Sequence, residues 1–256
     1  MIKAFKVEQL DVHVYNSRIE MGVAAAETAA NAIRQVLAEK EFANVIFAAA
    51  PSQNEMLAAL CQQDIDFSRV NAFHMDEYAG LDIGDDQSFA AYLNSHIFSL
   101  APFREVHYIP AKLDVEKCCR VYAELLTNNP PDVVCMGIGE NGHIAFNDPP
   151  VADFNDPYII KKVALDPICR MQQVHDGCFP TIDDVPEYAL TLTVPALLSA
   201  RHLICTVPGI AKAKAVSAML YGPYGEVCPA TSLRRHKGAR MFLDKDSAKE
   251  VLQNEI

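Results

Sequence analysis

Apolar and polar positions along the chain recur at two periods, and each period predicts its own kind of element. From Ser17 to Lys40, Ile19, Val23, Ala26, Ala30, Ile33 and Leu37 are spaced by threes and fours behind a capping Asn16 or Ser17, which predicts a long amphipathic helix. The short apolar run Ala43–Ala50 stops at Pro51-Ser52, and Glu55, Met56, Leu57 and Leu60 then resume a helical pattern. The alternation continues with a strand near Arg69–Met75, a helix near Gln87–Phe98, a strand at Val106–Ile109, a helix at Val115–Leu126 and a strand at Asp132–Ile138. Further strands are predicted at Tyr188–Thr193, Leu203–Val207 and Arg240–Leu243, with helices at Ile210–Leu220 and from Ser247 onward. Alternating helices and almost continuously apolar strands imply an α/β fold, a Rossmann-like three-layer arrangement whose mainly parallel sheet is covered on both faces. No Gly-, Ser- or Pro-rich linker divides the chain, so residues 1–256 are expected to form a single domain. The Pro- and Asp-rich stretch Asp148–Tyr158 reads as an ordered loop or lid over a site.

Composition narrows the function classes. The chain has 256 residues, 22 basic and 33 acidic side chains and a formal net charge of -11, so no broad basic face is available for a nucleic-acid backbone. An anionic ligand must be held by local charge. The opening Met-Ile-Lys-Ala-Phe-Lys-Val-Glu lacks the uninterrupted apolar region of a secretory signal, and no apolar run approaches a membrane span. The eight cysteines form no C-x-x-C pair and sit mostly in apolar stretches, which predicts reduced, buried thiols and a cytoplasmic setting.

In parallel α/β sheets ligands bind beyond the carboxyl ends of the strands, so the loops there carry the candidate chemistry. After the strand at Asp132 comes Gly137-Ile-Gly139-Glu-Asn-Gly142, a match to G-x-G-x-x-G. A dinucleotide fingerprint needs a helix to start inside the motif, whereas this one runs into His143-Ile-Ala-Phe-Asn-Asp148-Pro-Pro and so predicts a glycine-rich turn presenting Asn141, His143 and Asp148. A carboxylate five residues beyond a histidine can orient it as an acid/base pair if the loop folds back; the plain alternative is that both residues shape turns. The loop His74-Met-Asp76-Glu77-Tyr-Ala-Gly-Leu places two adjacent carboxylates after a buried strand, either as a solvated turn or as a base for proton abstraction next to a carbonyl. His74 is expected to be structural.

Phe73-His-Met-Asp-Glu-Tyr-Ala-Gly-Leu81 together with Gly137-Ile-Gly-Glu-Asn-Gly-His-Ile-Ala-Phe-Asn-Asp148 resembles the paired signatures of glucosamine-6-phosphate deaminases (isomerases), in the superfamily that also holds 6-phosphogluconolactonases. The similarity extends to Tyr188-Ala-Leu-Thr, Pro208-Gly-Ile-Ala-Lys212-Ala and Pro229-Ala-Thr-Ser-Leu-Arg-Arg-His236. The resemblance implies ring opening of an aminosugar phosphate, proton movement from C2 to C1 and hydrolysis of the resulting imine, without metal or organic cofactor. On this resemblance Asp76 matches the C2 base and His143 the ring-opening acid/base. Its family partners, an acid two residues before it and a glutamate five after it, are Asn141 and Asp148 here. Arg170 and Lys212 match phosphate ligands, and Ser52 stands for the family's hydroxyl residue in a loop where Ala49-Ala50-Pro51-Ser52-Gln53-Asn54 replaces the usual glycines. Gln53, Glu77, Gly139 and Gly142 complete the expected substrate-binding set. The resemblance implies a small-molecule sugar phosphate as the partner, and family members that are hexamers make a homo-oligomer compatible with it. Rival readings are lactone hydrolysis, with His143 activating water, and a sugar-phosphate sensor without turnover. The lactonase branch usually reads Thr-Ala-Ser after its histidine and Asp-Glu-Arg in its acidic loop.

Overall fold

The computed structural model describes residues 1–149, 151–175 and 177–253. The chain opens with a hairpin of β1 (Lys3–Val7) and β2 (Leu10–Tyr15), then α1 (Arg18–Glu39), β3 (Ala43–Phe47), α2 (Asn54–Leu60), β4 (Val70–His74) and the short β5 (Asp76–Tyr78). Next come α3 (Phe89–Leu93), β6 (Glu105–His107), α4 (Val115–Asn128), β7 (Val133–Met136), β8 (Ile160–Ala164) and α5 (Pro167–His175). The last part holds β9 (Tyr188–Leu192), α6 (Val194–Leu198), β10 (His202–Val207), α7 (Ala213–Tyr221), β11 (Ala239–Asp244) and α8 (Lys249–Gln253). The helix expected from Ser247 thus begins at Lys249; its continuation past Gln253, like Pro150 of the Asp148–Tyr158 loop, lies outside the described residues.

Eight strands form the main sheet in the order β1-β2-β11-β10-β7-β3-β4-β6. All neighbours from β2 to β6 pair in parallel, and only the edge hairpin β1–β2 is antiparallel. Alternate residues of each central strand feed two separate cores: Val134 and Met136 face the cluster that includes Tyr122 and Leu126 of α4, whereas Val133 and Cys135 face the one built on α1 and α2. This is the covered parallel sheet that the apolar runs predict. All eight cysteines are free.

Several elements differ from the sequence reading. Tyr188–Leu192 is a strand, but it is the centre of a separate antiparallel sheet, β5-β9-β8, rather than part of the main one. In α1 the inner stripe is Met21, Ala25, Ala26, Ala29, Ile33 and Val36, while Ile19 and Val23 are 70% and 48% exposed. Small side chains let this helix lie close on the sheet, so the alanines mark the buried face better than the larger branched residues do. Among the described residues, no helix is long and apolar enough to cross a membrane.

His74, at the end of β4, is structural as expected. Its Nδ1–H donates to the Asp76 carbonyl at 2.9 Å, and its Nε2 accepts from the Ile109 backbone at 2.8 Å. The Tyr122 hydroxyl donates to the His74 carbonyl and accepts from its backbone N–H, which seals the end of the strand. Burial pushes the imidazole down to about 4, partly offset by the Asp76 carbonyl. The folded chain therefore holds this histidine neutral where the unfolded chain, near 6.5, is already protonating. Its contribution is full above pH 6.5 and is lost as the pH falls toward 4, by about 3 kcal/mol. Urea unfolding of wild type and His74→Gln from pH 7 to 4 should show the variant less stable at pH 7 but with a flatter pH slope over that interval; parallel slopes would contradict the assignment.

Candidate functional site

Strand order reverses between the adjacent strands β3 and β7: the chain after β3 continues through β4 and β6 to one side, and after β7 through β10 to the other. The loops leaving these two strands part, and a cleft opens at their carboxyl ends, the usual ligand position in such sheets. The cleft holds about 490 Å³ of free space, including the part open to solvent. The β3 loop supplies Ala48, Ala49, Ala50, Ser52 and Gln53 to its walls, β4–β5 supplies Met75 and Asp76, the β7 loop supplies Gly137, Gly139 and His143, and α5 supplies Gln172 and Gln173.

The β7 loop is built around the His143 ring. A Cβ added at Gly139 would lie 2.1–2.4 Å from three ring atoms of His143, so only glycine lets the imidazole lie over that backbone. Gly139 also donates its N–H to the His143 carbonyl at 2.9 Å. Gly142 turns with φ +81, in the left-handed region open to glycine, and a Cβ there would meet Cys228 Sγ at 2.6 Å. Both glycines expected to contact substrate thus have a prior task in shaping the loop. Ala145 follows with φ 49, a strained conformation for a residue with a Cβ.

His143, Asn141 and Asp148 come together. His143 Nδ1 lies 2.9 Å from Asp148 Oδ1, so the shorter aspartate stem does reach the imidazole. The Asn141 amide donates to the same Asp148 oxygen at 2.9 Å, and its carbonyl oxygen accepts from the His143 backbone N–H at 3.0 Å. Asn141 and Asp148 stand behind His143, outside the cleft wall. Burial pushes the Asp148 carboxyl up, but the hydrogen bond and charge of His143, the Asn141 amide and the Asp166 backbone outweigh it and hold the group below the ordinary range.

Asp76 faces the cleft from the start of β5, and burial, then the neighbouring charge of Glu77, push its carboxyl well above the ordinary range. The two acidic neighbours do not share a face, because successive side chains of a strand point to opposite sides. Glu77, expected at the substrate, instead caps the start of α3: its carboxylate accepts from the backbone N–H groups of Tyr78, Phe89 and Ala90 at 2.9–3.0 Å. Burial still pushes it up to about 7, against the pull of those three bonds. Thr191 on β9 joins the two chemical loops. Its backbone is the register partner of Asp76, and its hydroxyl oxygen accepts from the Phe146 N–H at 3.1 Å.

The expected phosphate ligands are dispersed. Arg170 does not line the cleft; it donates through Nη2 to the Ile182 and Val185 carbonyls at 2.7 and 2.8 Å and so holds the turn after α5. Its helix turns Gln172 and Gln173 to the cleft instead, anchored by Glu140 N–H and by the Tyr78 hydroxyl. Lys212 is buried in the turn that opens α7, outside the cleft wall. Ser52 does line the cleft. Gln53 borders it too, although its carbonyl oxygen accepts from the Thr206 hydroxyl at 2.9 Å and its amide reaches Ser52 Oγ at 3.1 Å, so it fastens the β3 loop to β10. The glutamines of α5 escape the sequence reading because that helix is only nine residues long and starts at a proline; their signal is the adjacent Gln pair on an otherwise short amphipathic turn.

Replacing Gly139 with alanine should displace the His143 ring and lower turnover by at least about a hundredfold, the scale of a misplaced catalytic group. Steady-state kinetics with circular dichroism to confirm folding will check this, and near-normal turnover of a folded Gly139→Ala would refute the packing argument.

The family described as glucosamine-6-phosphate isomerases/6-phosphogluconolactonase matches residues 16–156, more than half of the chain. Glucosamine-6-phosphate deaminases of Bacillus thuringiensis (strain Al Hakam) and Bacillus anthracis (strain A0248) are each 32% identical over 224 residues, covering 87% of this chain and 83% of the relative. Among solved structures, a monomeric glucosamine-6-phosphate deaminase superposes with a TM-score of 0.84 at 28% identity, over 93% of this chain and 98% of its own. The 6-phosphogluconolactonase of Thermotoga maritima shares the fold, with a TM-score of 0.75 at 21% identity over 92% of this chain and 100% of its own. Matched along its sequence and its fold, the chain belongs to the family of glucosamine-6-phosphate isomerases and 6-phosphogluconolactonases.

Proposed function

We propose that the chain is one catalytic domain that isomerises and deaminates an aminosugar phosphate, converting glucosamine 6-phosphate to fructose 6-phosphate and ammonia in the cytoplasm. The observation that carries this reading is that Asp76 and His143 line one cleft, each with its own supporting residues, in a chain related at 32% identity to deaminases of that name. The family takes in lactonases too, but the solved lactonase of Thermotoga maritima is only 21% identical, against 32% for the deaminases.

In this mechanism His143 opens the ring. Its imidazole takes the anomeric hydroxyl proton and returns it to the ring oxygen, and the open chain carries an aldehyde at C1. Asp148, ionised and hydrogen-bonded behind the ring, offsets the charge of the imidazolium while it exists. Asp76 then removes the proton from C2 while O1 takes up a proton, giving an enolamine, and it delivers its proton to C1 as one N–H proton is lost, which leaves a hydroxyl on C1 and an imine at C2. Water adds to that imine, and the C2–nitrogen bond breaks to leave the ketone and ammonia. A carboxylate raised by burial is a stronger base than a solvated one, and a partly dry wall protects the transferred proton from exchange. Of the phosphate ligands, Ser52 on the wall and Lys212 buried beside the end of β10 are retained in the proposal, and Arg170 is released to its structural role.

Asp76→Asn should lower ammonia release from glucosamine 6-phosphate by about a hundredfold to ten-thousandfold. In the wild type the acid limb of the kcat/KM profile should rise at a pH above the ordinary carboxylate range, since the raised Asp76 must lose its proton to act. Hydrolysis of 6-phosphogluconolactone without ammonia release from the aminosugar would overturn the assignment in favour of the lactonase reaction. Asn141→Asp replaces an amide donor to Asp148 by a second negative charge, which favours the imidazolium form of His143. The limb that reports His143 should therefore move to higher pH in this variant; a superimposable profile would show that residue 141 does not act on the histidine.

A further inference from the structure

Behind the cleft wall, Cys169 of α5 approaches the two residues that support ring opening. His143, Asp148 and Cys169 are all buried, and one ligand atom from each, an imidazole nitrogen, a carboxylate oxygen and the thiol sulfur, lie within 4.8 Å of one another. Imidazole, carboxylate and thiolate are the donor types that hold zinc at three-ligand sites with one position left for a further ligand. A tetrahedral ion with bonds of about 2.0–2.3 Å keeps its ligand atoms roughly 3.5 Å apart, a spacing bracketed by the 2.9 Å between His143 and Asp148 and the 4.8 Å span of the whole set. His143 also borders the cleft, which gives an ion a way in.

From this constellation we infer that His143, Asp148 and Cys169 form a site for a single zinc ion or a like thiophilic divalent cation, and that occupying it stops turnover. Binding converts the Cys169 thiol to thiolate, and the displaced proton leaves to solvent. An ion on Nδ1 fixes the proton on Nε2 of His143, so the ring has no lone pair left to accept the anomeric proton. It also takes the Asp148 oxygen that supports the imidazolium. Ion binding is independent of the reaction proposed above, whereas inhibition rests on it.

The test uses the full chain, freed of metal with a chelator, desalted and titrated with zinc chloride alone. One zinc per chain should survive desalting, X-ray absorption should show a sulfur scatterer at about 2.3 Å, ammonia release should fall in parallel, and magnesium chloride should do neither. Cys169→Ser, with Cys169→Ala in reserve for folding, should keep zinc-free turnover, lose the sulfur scatterer and weaken retention by at least about tenfold, while Cys228→Ser should behave as wild type. Failure to retain zinc, or retention by Cys169→Ser with the sulfur signal intact, would overturn the site. Zinc held through Cys169 with turnover undiminished would support the site and overturn the role given to His143.

Discussion

The reversal of strand order between β3 and β7 is the constraint on which the rest depends. Two parallel strands that are hydrogen-bonded along their length send their chains to opposite sides, so nothing in the local connection closes over their carboxyl ends. Ala48 N–H still donates to Cys135 O, the last tie before the loops part. Beyond it, the β3 loop is held by Gln53 against β10, and the β7 loop folds over its own histidine. The cleft is a consequence of topology, and the two loops are what the sequence has placed around it.

A second sheet fixes what the first leaves open. Asp76 belongs to β5, which pairs with β9, and Thr191 of β9 also accepts from the end of the His143 loop. One short antiparallel strand thereby sets the spacing between a residue that follows β4 and a loop that follows β7. Electrostatics then separates the two carboxylates. Asp76 has burial and a like charge next to it and is raised, whereas Asp148 is equally hidden but surrounded by donors and is lowered. An aspartate on the cleft wall and one behind it are thus pushed to opposite sides of the ordinary carboxylate range by their surroundings.

Much of this was legible in the chain. The apolar runs located the strands of the covered sheet, and the glycine-rich turn with its histidine and aspartate identified the loop that matters. The hairpin β1–β2, strand β8 and helix α5 were not read, since each is short and β1 and β8 bury only part of one face. The acidic net charge of -11 gave no hint of how little of it enters the site: among the described acidic residues Asp76 alone stands on the cleft wall, Glu77 caps a helix and Asp148 lies behind His143.

Local pattern and motifs contiguous in the chain were enough for the strongly periodic elements and for the family, because neither depends on contacts between distant segments. Only the tertiary structure decided which face each residue serves. Glu77 and Asp76 are neighbours separated by the pleat of a strand; Arg170 and Gln172 share a helix but meet different partners; Cys169 reaches Asp148 only because α5 packs behind the β7 loop. These outcomes depend on contacts between segments far apart in sequence, and no local period encodes them.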